Sequence, residues 1–322
     1  MKPRVIAFDI GGTKTNAAAF GIDKKGRLIE LVFGRFKNSE FGSAEAVVRA
    51  FLTLVPKTES LAIAVAAPVN NNRAVLVNID WKIDANVIAK KYGFKRAVLL
   101  NDLEAAVIGV GALNVSDFSV LQKGRARQGN IVMVAPGTGL GEAALVGTCC
   151  TVVATEGGHA DFAPQNKTED ALLLFLRKKY GHVSYERVLS GRGIGDIYDF
   201  LMSGREVPPR TKERFNVDDK AAVISGEAMR KGGDKVCKKA LEVFMSVLGA
   251  EAGNMALKTL STGGVFIGGG IAPKIITALK KDKAFIRAFH AKGRFRAFMK
   301  DIPVKAVMND KCALYGAALS GL

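Results

Sequence analysis

The feature that most narrows what this chain can become is a β-rich run ending abruptly in glycines, and it occurs twice. Residues 4–10 lead into Asp9-Ile-Gly-Gly-Thr13, and about 125 residues later 130–135 lead into Pro136-Gly-Thr-Gly-Leu-Gly141. Glycine lets backbone come close to an anion, and loop amides together with a threonine hydroxyl can hold phosphate oxygens. Gly11, Gly12 and Thr13 of the first loop and Gly137, Thr138 and Gly139 of the second are therefore candidate phosphate contacts. A carboxylate at the strand end, here Asp9, can orient a Mg²⁺ through its waters. Taken alone, the first loop is equally consistent with a tight hairpin that binds nothing. Two familiar nucleotide motifs are excluded. The chain contains no Gly-Lys dipeptide, so neither loop is a Walker A loop. The glycine spacing at 137–141 is not that of a dinucleotide fingerprint.

Around these loops the pattern is that of an α/β protein. Segments 16–22 and 28–36 predict two further strands, with Lys24-Lys25-Gly26 as the turn between them. Ser43 is placed to cap a helix through Val47, Ala50, Phe51 and Leu54 that Pro56 ends. The continuous apolar run 61–67 predicts a strand buried on both faces. A helix over 85–92 and a strand over 97–100 complete the first part. After the second loop, strands are predicted at 142–146 and 151–155 and helices at 169–180, 193–202, 218–229 and 234–260. A final strand, 265–267, meets Gly268-Gly-Gly270. Segment 205–214, with Pro208-Pro209, reads as an exposed loop. The 322 residues suit two domains, expected at 1–109 plus a C-terminal helix 311–322 (small) and 110–310 (large).

Composition excludes several classes. Hydrophobic residues at 48% and charged residues at 24% fit an ordinary globular protein and not a disordered one. The four cysteines are too few and scattered for a disulfide scaffold or a four-ligand zinc site. Cys149 and Cys150, adjacent in an apolar run, read as reduced and packed. Stretch 131–154 is apolar, but Pro136, four glycines and Glu142 interrupt it, which predicts strand, loop, strand rather than a membrane helix. No secretory signal is visible in 1–9, so a cytoplasmic protein is expected. Charge is the anomaly: 47 Lys and Arg against 30 Asp and Glu leave +17. That excess suits nucleic acid, a membrane surface, an anionic substrate or solubility alone.

Order carries more than any one motif. Asp9-Ile-Gly-Gly-Thr13 is followed by Asn101-Asp102 opening a helix, then by the 137–141 loop, Gly268-Gly-Gly270, and Tyr315-Gly-Ala-Ala in a terminal helix. This resembles the five-element nucleotide-binding plan of the actin, sugar-kinase and chaperone ATPase superfamily. The resemblance implies an α/β, two-domain actin-like ATPase (ribonuclease H-like) fold with an interdomain cleft. There the first two loops would grip the β- and γ-phosphates, and Gly268, Gly269 and Gly270 would pass close to the adenosine. Within the superfamily, six segments together resemble the bacterial glucokinase family over nearly the whole chain. They are Ala66-Ala-Pro68, Asn78-Ile-Asp-Trp81, Leu100-Asn-Asp102, Ala135-Pro-Gly-Thr-Gly-Leu-Gly141, Glu156-Gly-Gly-His159 and Glu186-Arg-Val-Leu-Ser-Gly191. That resemblance implies an ATP- and Mg²⁺-dependent kinase of D-glucose, a homodimer without nucleic-acid or membrane partners. The residue matching Asp102 is the family's catalytic base, and those matching Asn101, Glu156, His159 and Glu186 hold the hexose hydroxyls.

The residues make chemical sense without the family. A hydroxyl nucleophile needs a carboxylate in hydrogen-bond reach to take its proton during phosphoryl transfer. Asp102 has that chemistry, although its position alone would also suit a helix cap. A hexose shows several adjacent hydroxyls, each donor and acceptor, and carboxylates, an amide and an imidazole match them. The two glycines between Glu156 and His159 permit a tight turn that aims both side chains at one ligand. Two alternatives stand beside this reading: a kinase of mannose, N-acetylglucosamine or fructose, and a sugar-responsive nucleic-acid-binding regulator. The regulator would need an N-terminal helix-turn-helix, for which the early position of Asp9 leaves no room. Gly12-Thr13-Lys14-Thr15 departs toward the wider repressor–open reading frame–kinase family. That family's Cys-rich zinc motif has no match in Ala160-Asp-Phe-Ala-Pro164, so no structural zinc is expected.

Overall fold

Alternation at period two builds the first sheet. In β1 (Val5–Ile10), Ile6, Phe8 and Ile10 belong to one buried cluster and Val5 and Ala7 to another, so both faces of the strand are covered. β2 (Lys14–Ile22) and β3 (Leu28–Lys37) follow as antiparallel neighbours, and after α1 (Ala44–Leu52) the chain returns as β4 (Ser60–Val65), parallel to β1. A hairpin of β5 (Arg73–Leu76) and β6 (Trp81–Asp84), then α2 (Ala85–Tyr92), lead to β7 (Arg96–Asn101), parallel to β4. β7 runs directly into α3 (Asp102–Gly109). The strand order is β3-β2-β1-β4-β7. Ser43 does cap α1, its hydroxyl accepting the Ala46 amide at 3.2 Å, and Val47, Val48 and Phe51 cover the Phe8 face.

The second sheet starts at β8 (Phe118–Gln122), β9 (Ile131–Pro136), β10 (Leu140–Val146) and β11 (Thr151–Thr155). Five helices follow: α4 (Lys167–Tyr180), α5 (Gly191–Met202), α6 (Pro209–Phe215), α7 (Lys220–Met229) and α8 (Lys235–Thr259). The chain then adds β12 (Gly264–Ile267), α9 (Ile276–Lys281), α10 (Ala284–His290), α11 (Arg296–Asp301), β13 (Val304–Val307) and α12 (Cys312–Gly321). The order is β11-β10-β9-β12-β13-β8. Its first five strands repeat β3-β2-β1-β4-β7 in order and in direction: two antiparallel pairings, then two parallel ones. The computed structural model describes residues 1–76, 78–125, 127–147 and 149–322. They form two compact units, Met1–Asp117 with Asn309–Leu322, and Phe118–Met308.

Several expectations need correcting. Segment 205–214 is not all loop: Pro209 opens α6, because a proline in the first helical turn gives up an amide that had no partner anyway. Thr211 of that helix is buried and its hydroxyl donates to Asp234 Oδ2 at 3.1 Å. Segment 265–267 is not the last strand, since β13 follows it. Cys149 and Cys150 are exposed at the turn after β10 rather than packed. Thr148, within the same apolar stretch, lies outside the described residues. No helix among the described residues is long and apolar enough to cross a membrane.

α12 packs on α3 at backbone contact, and two glycines permit it. A Cβ on Gly316 would overlap the Ala105 carbonyl, and one on Gly109 would overlap the Cys312 carbonyl. Gly316→Ala is expected to destabilise the fold by about 1–3 kcal/mol through overpacking, read as a lower urea midpoint. An unchanged midpoint would contradict this packing.

Candidate active site

In the first unit, the parallel strands bring two carboxylates to one end of the sheet, the end where α/β folds place ligands. Asp9 on β1 is in register with Ala64 on β4, and the next β4 residue, Val65, is in register with Asn101 on β7. Asp9 Oδ2 accepts a hydrogen bond from Asn16 Nδ2 at 3.3 Å, and burial pushes its carboxyl up to about 6. Asp102 is the first residue of α3. Burial, and then the charge of Asp9, push its carboxyl up to about 6 as well. The capping role falls mainly to Asn101, whose Oδ1 accepts the Leu103 amide at 2.8 Å while its Nδ2 donates to the Ala67 carbonyl at 3.2 Å. The Leu103 amide also reaches Asp102 Oδ1, at 2.9 Å.

Gly11, Gly12 and Thr13 form the turn between β1 and β2. Its anchor is Asn38, a buried residue that no motif marked. Asn38 Nδ2 donates to the Gly11 carbonyl at 2.8 Å, its backbone amide donates to the Thr13 carbonyl at 2.9 Å, and its Oδ1 accepts the Thr15 hydroxyl at 2.8 Å. Lys14 is half-exposed and pairs with Asp310 at 3.4 Å. Among the described residues no group of three or more His, Cys, Asp or Glu could hold a metal ion. A lone carboxylate such as Asp9 suits a hydrated Mg²⁺ that takes its other ligands from water and phosphate.

In the second unit the glycine runs after β9 and β12 lie side by side. The Gly268 amide donates to the Val134 carbonyl at 2.9 Å and the Ile271 amide to the Pro136 carbonyl at 3.3 Å. The Gly191 amide at the start of α5 donates to the Gly137 carbonyl at 2.9 Å. Glu186 belongs to the same cluster: its Oε2 accepts the Leu140 amide at 3.0 Å, in space that a Cβ on Gly139 would occupy. Glu156 and His159 stand exposed on one tight turn, with Nε2 of the histidine 3.9 Å from Oε2 of the glutamate. A cavity of about 780 Å³ opens beside Gly137, Thr138 and Gly270, walled by Ser225, Ile271 and Lys274. Those last three residues escaped the sequence reading, because Ser225 lies inside helix α7 and Ile271 and Lys274 lie beyond the Gly268–Gly270 run, where no motif marks them. The structure thus groups Asp9, Gly11, Gly12, Thr13, Asn101 and Asp102 in one unit. It groups Gly137, Thr138, Gly139, Glu186, Gly268, Gly269 and Gly270 in the other, with Glu156 and His159 on a separate turn of that unit.

A family model described as Glucokinase matches residues 6–321. A glucokinase from a Nostoc species is 37% identical over 337 aligned residues, covering 98% of each chain. The crystal structure of a glucokinase from an Antarctic psychrotroph has a TM-score of 0.87 at 30% identity and covers 100% of this chain and 99% of its own. A ROK family glucokinase from Streptomyces griseus, in complex with glucose and AMPPNP, shares the fold with a TM-score of 0.66 at 22% identity, over 98% of both chains.

The buried carboxyl of Asp102 carries a stability cost with a definite sign. Its folded pKa of about 6 lies above the ordinary 3.8, so the folded state holds the proton more tightly and stability falls as pH rises through that window. Removing the charge in Asp102→Asn is expected to stabilise the protein by about 1–3 kcal/mol at pH 7.5, a gain that shrinks toward pH 4. Urea unfolding at the two pH values measures it. An equal or lower midpoint for the variant at pH 7.5 would contradict the assignment.

Proposed function

The chain belongs to the glucokinase family, and on that premise we propose that it transfers the γ-phosphoryl group of ATP to the 6-hydroxyl of D-glucose with Asp102 as general base. One observation supports the choice of base above the others. Asp102 sits beside Asp9 at the strand ends, with a carboxyl raised to about 6. A base tuned there is ionised at neutral pH and still holds enough proton affinity to accept from an attacking hydroxyl.

Asp102 takes the proton of the 6-hydroxyl as that oxygen forms its bond to the γ-phosphorus. The bond from phosphorus to the β–γ bridging oxygen breaks, and ADP leaves with the electron pair. Asn101, Glu156, His159 and Glu186 hold the remaining hydroxyls, Glu186 having one oxygen already committed to the Leu140 amide. Gly11, Gly12 and Thr13, with Gly137, Thr138 and Gly139, present amides and hydroxyls to the phosphates. Gly268, Gly269 and Gly270 border the nucleoside, which the adjoining cavity is large enough to take. Asp9 is the residue that would hold Mg²⁺ through water, where the ion would offset charge on the phosphate oxygens. The same reading makes the protein a cytoplasmic homodimer with no nucleic-acid or membrane partner, a part carried by the family resemblance.

A coupled assay over glucose, mannose, N-acetylglucosamine and fructose tests the substrate, with glucose expected to give the highest kcat/KM. Preference for another hexose would displace it, and salt-resistant retention on DNA in a protein without turnover would favour a regulator. Asp102→Asn should lower kcat by about 10²–10⁴-fold with glucose affinity little changed. The wild-type rate should fall about tenfold per pH unit below about 6, because the base is then protonated. Near-normal turnover in the variant would remove Asp102 from this role.

A further inference from the structure

One buried group near the hexose residues has no part in the chemistry so far. Glu142 on β10 is 2% exposed, and neither carboxylate oxygen has a hydrogen-bond partner among the described residues. Glu251 on α8 is fully buried. Its Oε2 accepts from Asn254 Nδ2 at 2.8 Å, while its Oε1 is unpartnered. Two carboxylates of this kind cost several kcal/mol to bury as ions, so a proton or a cation must offset one of them. A hard divalent ion asks for six or more oxygens, which two carboxylates do not assemble. A proton on Glu142 meets the requirement. Burial and then the charge of Glu251 push its carboxyl up to about 8, against a smaller opposing pull from Lys258.

The place of Glu142 gives that proton a consequence. Its Oε2 fills the space directly under Gly157, where a Cβ would overlap it. Thr155, its register partner on β11, accepts the Gly157 amide at 2.6 Å. Glu142 and Thr155 are therefore the floor of the turn that carries Glu156 and His159. Glu251 reaches the other sugar segment: Asn254 Nδ2 also donates to Tyr185 Oη at 3.0 Å, and Tyr185 directly precedes Glu186. Lys292 closes the network, donating to Asn254 Oδ1 at 2.6 Å and to the Ala250 carbonyl at 2.8 Å.

We propose that Glu142 is a positioning residue of the hexose site, held as a neutral acid against Glu251 so that the Glu156–His159 turn keeps its place. This rests on the reading of the chain as a glucose kinase. The charged and titratable groups that act on the pair are Lys258 of α8, Tyr185 and Lys292, and Glu156 and His159 stand on the turn itself. Ionisation of Glu142 sets two negative charges against each other beneath the turn, and glucose binding weakens while ATP binding does not.

The test is the KM for glucose and for ATP from about pH 7 to pH 9.5 in the wild type, Glu142→Gln and Glu142→Ala. The wild-type glucose KM should rise about tenfold over that range, and in the isosteric Gln variant it should stay flat. Glu142→Ala, which empties the floor, should raise glucose KM about tenfold already at pH 7, with ATP KM unchanged in all three proteins. An alkaline rise that persists in Glu142→Gln, or an unchanged glucose KM in Glu142→Ala, overturns the proposal. Infrared titration of the wild type reads the proton without any turnover or variant. A protonated-carboxyl band that disappears as pH rises through about 8 supports the neutral acid. Absence of the band at pH 7, or a glucose KM that follows potassium or sodium concentration, puts a cation in the proton's place and overturns it. A wild type that phosphorylates no sugar would end the kinase reading while leaving the infrared result intact, so the two failures are distinct.

Discussion

Parallel pairing of β1, β4 and β7 is the constraint from which the proposed chemistry grows. It sets Asp9, on β1, and Asp102, directly after β7, at one end of one sheet and on either side of β4, in a region where burial raises both carboxyls. Neither carboxylate could be tuned in this way on a loop open to water, where desolvation is absent. Asn101 starts α3 and so fixes the backbone of Asp102, and Asn38 ties the glycine turn to the strand edge. The supporting residues are amides, which hold backbone in place without adding charge to a site that already has two.

The second unit applies the same topology to a different purpose. Its matching strands β9 and β12 end in glycine runs rather than in carboxylates, and their ends enclose backbone amides, a cavity and Glu186. A repeated strand order therefore accounts for two glycine-terminated strands about 125 residues apart, while the residues placed at the ends decide what each unit contributes. Charge follows a related logic. Part of the +17 surplus is structural: Arg210, Arg214 and Arg230 surround Glu227, which is 1% exposed and held down to about 2, first by hydrogen bonds from Arg230.

Much of this was legible in the chain, and the gaps have physical causes. The long apolar or amphipathic segments, such as β4 and α8, announce themselves because their own periodicity is sufficient. β5, β6, β8 and β13 have four or five residues each and take their strand character from neighbours, so their own sequence is ambiguous. α6 was hidden by prolines that mark a helix start as readily as a loop. Asn38 acts through bonds to a turn distant in the chain, and no local pattern records such a tie. Glu142 stood in plain view inside an apolar stretch, where it counted only as an interruption. Its meaning needed the overlap with Gly157 and the facing Glu251.

The proposed chemistry depends on Asp102 being tuned by burial and by a second carboxylate. Site-resolved NMR titration of the Asp102 carboxyl, in the wild type and in Asp9→Asn, measures that tuning directly. The expected wild-type midpoint lies near 6 and moves down when Asp9 loses its charge. A wild-type midpoint near the ordinary 3.8, or one indifferent to Asp9, would contradict that tuning.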